Sequence, residues 1–321
     1  MTEPLFSLVA GEGDGTILGL AAGDTAGGAW EMGYSAVTEQ VTVISYELIA
    51  NGEVDRARLV ESLVELDGNE EEEPVFRAES PEFRAWLDQA KAGGPSPDAT
   101  PSLDPLGRSA PLGVAFRKDP AGLRRSVIDL NLLFHTDASS VLGAVALASA
   151  VAASCFGQAG RDLILGVAES VGAAIGDVRE RGDELTGIDR IDGFEARVRQ
   201  SVEGYGVRDA DGALAHVGGE DEAGPLELTL ACLLLTSLSV EKPHEPIAEL
   251  VRIGGSNLGA AAGAILGARL GIRAWPWVFA NDTWFAEIGR RLVRGPNEVH
   301  DLPIPYAVEQ HLISGARQDP V

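Results

Sequence analysis

The segment Gly15–Gly28, GTILGLAAGDTAGG, places glycine at positions 15, 19, 23 and 27. On a helix this spacing keeps all four on one stripe, where the missing side chains let a second backbone approach closely. A glycine inside a helix costs about 1 kcal/mol relative to alanine, so a packing need has to outweigh that local cost. The segment is not a dinucleotide-binding turn, because no strand precedes it and the glycine spacing differs from Gly-x-Gly-x-x-Gly. What the stripe calls for is a second helix pressed against the first.

Composition agrees with helices packed on helices. Aromatic residues are only 6% of the 321, glycine and alanine are abundant, and 45% of residues are hydrophobic, enough for a sizeable core. A β-sandwich would be richer in aromatic and β-branched residues, and a disordered chain poorer in apolar ones. The pattern predicts helices over Thr38–Ile49, Val54–Leu66, Pro81–Ala92, Ala121–Phe134, Ala138–Phe156 and Asp162–Gly182. It continues with Phe194–Glu203 inside the mixed acidic stretch Asp183–Glu222, then Pro225–Leu238, Glu245–Ile253, Asn257–Gly271, Asn281–Val293 and Pro305–Ser314. Gly93–Gly107 is rich in proline and glycine and reads as an irregular loop or linker. No strand alternation and no tandem repeat stand out, so the expectation is one all-α domain over residues 1–321.

Forty-nine acids against twenty-five bases give a formal charge of −24. Such a surface repels phosphate backbones, which argues against a nucleic-acid partner. The run Glu70–Glu73 reads as a solvated loop. Met1–Gly11 lacks a basic stretch followed by an apolar one, so no signal peptide is expected. No uninterrupted apolar run reaches the ~18 residues of a membrane span, and no membrane partner is expected. Cys155 and Cys232 sit in apolar helical runs and read as buried thiols in a reducing compartment. Together these point to the cytoplasm.

Three helix starts are polar where the helix bodies are small and apolar. They are Thr38-Glu39-Gln40, His135-Thr136-Asp137 and Gly254-Gly255-Ser256-Asn257. Ordinary capping accounts for each, with Asp137 and either Ser256 or Asn257 as caps. No Ser-His-Asp set, Cys-x-x-Cys pair, His-Glu-x-x-His or phosphate loop is present. Trp275 and Trp277 read as core or cleft wall, and His216, His244, His300 and His311 as exposed.

Four segments, in order, resemble the ADP-ribosylglycohydrolase family. GTILGLAAGDTAGGAWE (Gly15–Glu31) is similar to the opening signature of a glycine-spaced helix, Gly-Asp and a glutamate. RSAPLGVAF (Arg108–Phe116) is similar to Met-Arg-x-x-Pro-Leu-Gly. FHTDASSVLGAVALASAVA (Phe134–Ala152) resembles the Thr-His-x-Asp helix start, and IGGSNLGAAAGAILGARLGIRAWP (Ile253–Pro276) the Gly-Gly-Asp-x-Asp-Thr segment with its glycine-rich helix. The resemblance implies an all-α bundle with a central cleft, two Mg²⁺ ions in that cleft, and cleavage of the glycosidic bond between ADP-ribose and an acceptor.

The chain departs from that pattern at the metal motifs. Where the family has Thr-Asp-Asp-Thr, this sequence has Thr38, Glu39, Gln40 and Val41. The second motif falls on Gly254–Asn257 or on Ser256–Leu258, and neither register supplies an aspartate. Hard divalent cations need anionic oxygen ligands, so no metal cofactor is expected, a single weak ion between Glu39 and Asp137 being the alternative. Amides, hydroxyls and helix starts can hold an anion directly. The expected ligand is therefore a nucleotide or an ADP-ribose-like molecule, free or on an ADP-ribosylated protein. Thr38, Gln40, Glu31, Gly254, Gly255, Ser256, Asn257 and Arg108 are the candidate binding residues, with a structural ion pair as the other reading of Arg108. One functional expectation is a metal-independent glycosidic hydrolase, with Glu39 and Asp137 as the acid–base pair and His135 positioning one of them. The alternatives are an inactive member that binds ADP-ribose or a nucleotide, and a partner-binding protein with no small ligand.

Overall fold

The computed structural model describes residues 13–27, 33–68, 76–219, 223–238, 242–275 and 280–309. Among them the regular structure is helical: α1 (Thr16–Gly27), α2 (Ala36–Asn51), α3 (Arg56–Leu66), α4 (Pro81–Lys91), α5 (Asp104–Ala115), α6 (Pro120–Asn131) and α7 (Ala138–Cys155). These are followed by α8 (Gly160–Glu180), α9 (Phe194–Ser201), α10 (Ala210–Val217), α11 (Pro225–Ser237), α12 (His244–Leu270) and α13 (Asp282–Arg294). Extended pairing among the described residues is limited to two isolated bridges, Asp98 with His135 and Asp137 with Thr186. The all-α expectation holds.

The glycine stripe meets a second stripe on α12. A Cβ on Gly15 would lie 2.6 Å from the carbonyl oxygen of Gly267, and one on Gly27 would lie 2.7 Å from the Cα of Ser256. Between them, Gly19 and Gly23 press on the carbonyl oxygens of Gly263 and Gly259, and those glycines press back in the same way. Contact is thus backbone on backbone along the full length of α1. At its far end, Gly27 packs where α12 bends at Gly254 (φ −144°, ψ 15°) and Gly255 (φ 59°, ψ −153°). The conformation of Gly255 is open only to glycine.

α7 is the central core helix, packed by α5, α6, α8, α11 and α12. It is long and apolar enough to span a bilayer by length and composition, yet 94% of it is buried inside the protein. Cys155 and Cys232 are buried free thiols in this core. Local chemistry sets six of the helix starts: Ser35, Asp55, Ser80, Asp119, Asp137 and Asp209 each accept a first-turn N–H, and Pro81 and Pro120 open their helices.

Two expectations need correction. The irregular stretch from Gly93 ends at Asp104, because Pro105 occupies a first-turn position where its missing N–H costs nothing; α5 then runs on through Pro111. The stretch 183–222 holds α10 as well as α9, capped by Asp209. As expected, two helical segments lie on either side of Gly254-Gly255, and they meet at that bend within α12. The expected helix Pro305–Ser314 is helical from 305 to 309, and its remainder lies outside the described residues, as do Trp277 and His311.

The stripe makes a direct prediction. Gly263→Ala would drive a methyl into the backbone of Gly19 and should cost about 3 kcal/mol or more, as overpacking against an immovable group does. Gly176→Ala, on α8 with no atom within 4 Å of the added Cβ, should instead stabilise by about 0.5–1 kcal/mol. Urea unfolding of the two variants checks the opposite signs.

Candidate functional site

The start of α2 is held by a carboxylate from α1. Asp24 is fully buried and accepts from the Ser35 N–H (2.8 Å), the Ser35 hydroxyl (2.7 Å), the Thr38 N–H (3.3 Å) and the Thr38 hydroxyl (2.7 Å). Burial raises its pKa even against these four bonds. The hydroxyl of Thr38 is therefore committed to the scaffold. Two residues on, Gln40 faces a cleft.

That cleft, about 240 Å³, lies between the start of α2, residues 78–80, the first turns of α5 and the bend of α12. Gln40, Asp104, Arg108, Gly254, Gly255, Ser256 and Asn257 line it. Arg108 is only 2% exposed. Its Nε donates to Gln40 Oε1 (2.8 Å), and its Cζ lies 4.1 Å from the centre of the Phe134 ring. The carboxylate of Asp104 stands 3.9 Å from Nη2, and Nη1 is buried with no hydrogen-bond partner. Burial pulls the guanidinium pKa down to about 10, with Asp104 opposing.

Asp104 ties the cleft together. It accepts from the Ser80 hydroxyl (2.6 Å) and from Asn257 Nδ2 (2.9 Å), so the side chain of Asn257 bridges to α5 rather than capping its own helix segment. Glu79, also in the lining, takes Nε and Nη2 of Arg84 on its two oxygens, each at 2.6 Å. Neither Asp104 nor Glu79 was among the candidates from sequence. Asp-Pro as a helix opening was the available signal for Asp104.

The two carboxylates expected to act as acid and base do not line this cleft. Glu39 is fully buried and accepts from Arg77 Nε (2.6 Å) and from the Arg77 N–H (3.0 Å). Arg77 also pairs with Glu309, which accepts from the Tyr34 hydroxyl (2.7 Å). Burial pushes the pKa of Glu39 well up; Arg77 opposes this and the nearby Glu309 adds to it. Asp137 caps α7 as its position suggested, accepting from the Ser140 N–H (2.9 Å) and hydroxyl (2.8 Å), with Arg190 Nη1 at 3.4 Å from its other oxygen. His135 is pinned by the Asp98 bridge and is 2% exposed, with Nδ1 buried and unpartnered. Burial first, then the charge of Arg108, lowers its pKa to about 4. Glu31 lies outside the described residues.

The structure thus gathers Gln40, Arg108 and Gly254–Asn257 at one cleft, while Thr38, Glu39, His135 and Asp137 do not line it. Among the described residues, no three His, Cys, Asp or Glu side chains converge as metal ligands would. Hard cations need several anionic oxygens, and the carboxylates in the lining among the described residues, Glu79 and Asp104, already carry arginine or hydrogen-bond partners, so these residues do not fit a pair of Mg²⁺ ions.

The family model described as ADP-ribosylglycohydrolase matches residues 13–301. A solved structure titled "ADP-ribosylglycohydrolase-related protein complex" is similar over 88% of this chain and 97% of its own, with a TM-score of 0.62 and 19% identity, a likeness of fold. No curated protein matches the chain.

His135 gives the site a pH signature. An unfolded histidine titrates near 6.5 and the folded one near 4, so between these values the unfolded state binds the extra proton. The contribution is intact above pH 6.5 and is lost as pH falls towards 4, roughly 3 kcal/mol in all. His135→Gln should flatten the pH dependence of the urea midpoint across that window. An unchanged slope would contradict the assignment.

Proposed function

The chain belongs to the ADP-ribosylglycohydrolase family, and from that premise we propose that it binds an ADP-ribose-like or nucleotide ligand in this cleft, without the pair of magnesium ions that the family pattern implies and without efficient glycosidic turnover. One observation carries the reading: each carboxylate at or beside the expected catalytic positions faces an arginine. Glu39 pairs with Arg77, Asp137 with Arg190, and Asp104 faces Arg108.

Glycosidic cleavage through an oxocarbenium-like transition state uses an acid and a base, normally two carboxyl groups flanking the bond. Neither Glu39 nor Asp137 lines the cleft. A divalent ion would otherwise supply several kcal/mol of charge stabilisation, and the donor set here does not suit one. What the cleft does offer is a ribose-sized set of amide, hydroxyl and backbone groups, including the buried and unpartnered Asn257 Oδ1, an acceptor for a ligand hydroxyl. The same reading places the protein in the cytoplasm, with free nucleotide or an ADP-ribosylated protein as the source of the ligand.

Metal-independent hydrolysis is the second reading. Asp104 favours it, as a carboxylate that lines the cleft beside Arg108. Titration calorimetry with ADP-ribose, run alongside a hydrolysis assay with and without EDTA, separates the two. Binding in EDTA with no product is the expected result. Product formation in EDTA that Asp104→Asn abolishes would favour the hydrolase, and activity that EDTA removes would defeat both readings.

A further inference from the structure

We infer that the cleft grips a phosphate or diphosphate group directly, on the guanidinium of Arg108 and the side-chain amide of Gln40, an inference that rests on this cleft being the ligand site proposed above.

A guanidinium carries five N–H donors. Among the described residues, Arg108 makes one hydrogen bond, from Nε to Gln40 Oε1. Asp104, at 3.9 Å from Nη2, is an ionic neighbour beyond hydrogen-bond reach, and Nη1 is buried without a partner. Even with Asp104 at 3.9 Å and the ring of Phe134 beside it, a 98% buried guanidinium with one hydrogen-bond acceptor is costly to keep. An anion entering the cleft would offset that cost, and a planar fork of donors matches phosphate geometry.

Gln40 points the same way. It is 5% exposed and lines the cleft, and its oxygen is already accepting from Arg108. The other end of the amide, Nε2, can only donate. The bond to Arg108 therefore fixes which end is left for a ligand. An aspartate in this place, as the family motif has it, would satisfy Arg108 and present no donor.

The oxygens of the acids in the lining are already engaged. Both oxygens of Asp104 accept, from Ser80 and Asn257, and both oxygens of Glu79 accept from Arg84. Positive charge that relatives would recruit as soluble ions is here carried on a side chain.

The test is titration of the full chain with inorganic pyrophosphate and with ADP-ribose, in EDTA. Two variants accompany it. Arg108→Gln removes the charge, and Gln40→Glu keeps the side chain's size while giving Arg108 a carboxylate, so its thermal midpoint should hold or rise. Both ligands are expected to bind the wild type without metal, and Gln40→Glu should weaken pyrophosphate by ~10- to 100-fold, the loss of a charge-assisted bond and its replacement by repulsion. Pyrophosphate binding that needs Mg²⁺, or that Gln40→Glu leaves unchanged, would overturn the inference. ADP-ribose binding without any pyrophosphate binding would overturn it while leaving the cleft as the ligand site. Failure of both ligands would defeat the cleft reading as well.

Discussion

The backbone-on-backbone packing of α1 against α12 is the constraint on which the rest of the molecule depends. Glycines 15, 19, 23 and 27 face glycines 267, 263 and 259 and then Ser256, with no room for a single methyl group. Because the two helices run in register, the bend of α12 at Gly254-Gly255 is brought to the end of α1. Asp24, one residue beyond a stripe glycine, projects to the start of α2 and fixes it with four hydrogen bonds. Two walls of the cleft are thus consequences of one helix pair. Four small residues, each unfavourable for an isolated helix, are what make the cleft reproducible.

Electrostatics then decide what such a cleft can hold. The helix starts that would hold a pair of hard cations in the family pattern here carry Thr38, Glu39, Gln40, Ser256 and Asn257, and arginines have taken up the remaining acids. Arg77 draws Glu39 into a buried cluster with Glu309 and Tyr34, away from the lining. Arg108 stands in the lining itself, short of partners. A cleft lacking free carboxylates but holding an underpaired guanidinium has the polarity of an anion site. A fold can keep its shape while the sign of its preferred ligand changes.

Much of the architecture was readable because packing leaves a periodic trace. The four-residue glycine spacing called for a partner helix, and the second glycine run at 259, 263 and 267 supplied it. Asp137 was readable as a cap because capping is local, and it caps α7. α5 was missed, since Pro111 argues locally against a helix that tertiary contacts with α2 and α7 hold in place. The roles of Glu39 and Gln40 could not be separated from sequence. Neighbouring residues on a helix point about 100° apart, and what decides between them is Arg77, thirty-eight positions away for Glu39, and Arg108, sixty-eight away for Gln40. Such pairings carry no local signal. Asp104 went unnoticed for the same reason, its partners being Ser80, the cap of α4, and Asn257 on α12.

The central claim is that this cleft holds its positive charge on side chains and not on a pair of divalent ions. Anomalous scattering from crystals soaked with Mn²⁺ and ADP-ribose tests it most directly, since manganese substitutes for magnesium and is located without ambiguity. The expected map shows ligand density against Arg108 and no manganese peak between α2, α5 and the bend of α12. Two manganese peaks there, bridged by the ligand, would contradict it.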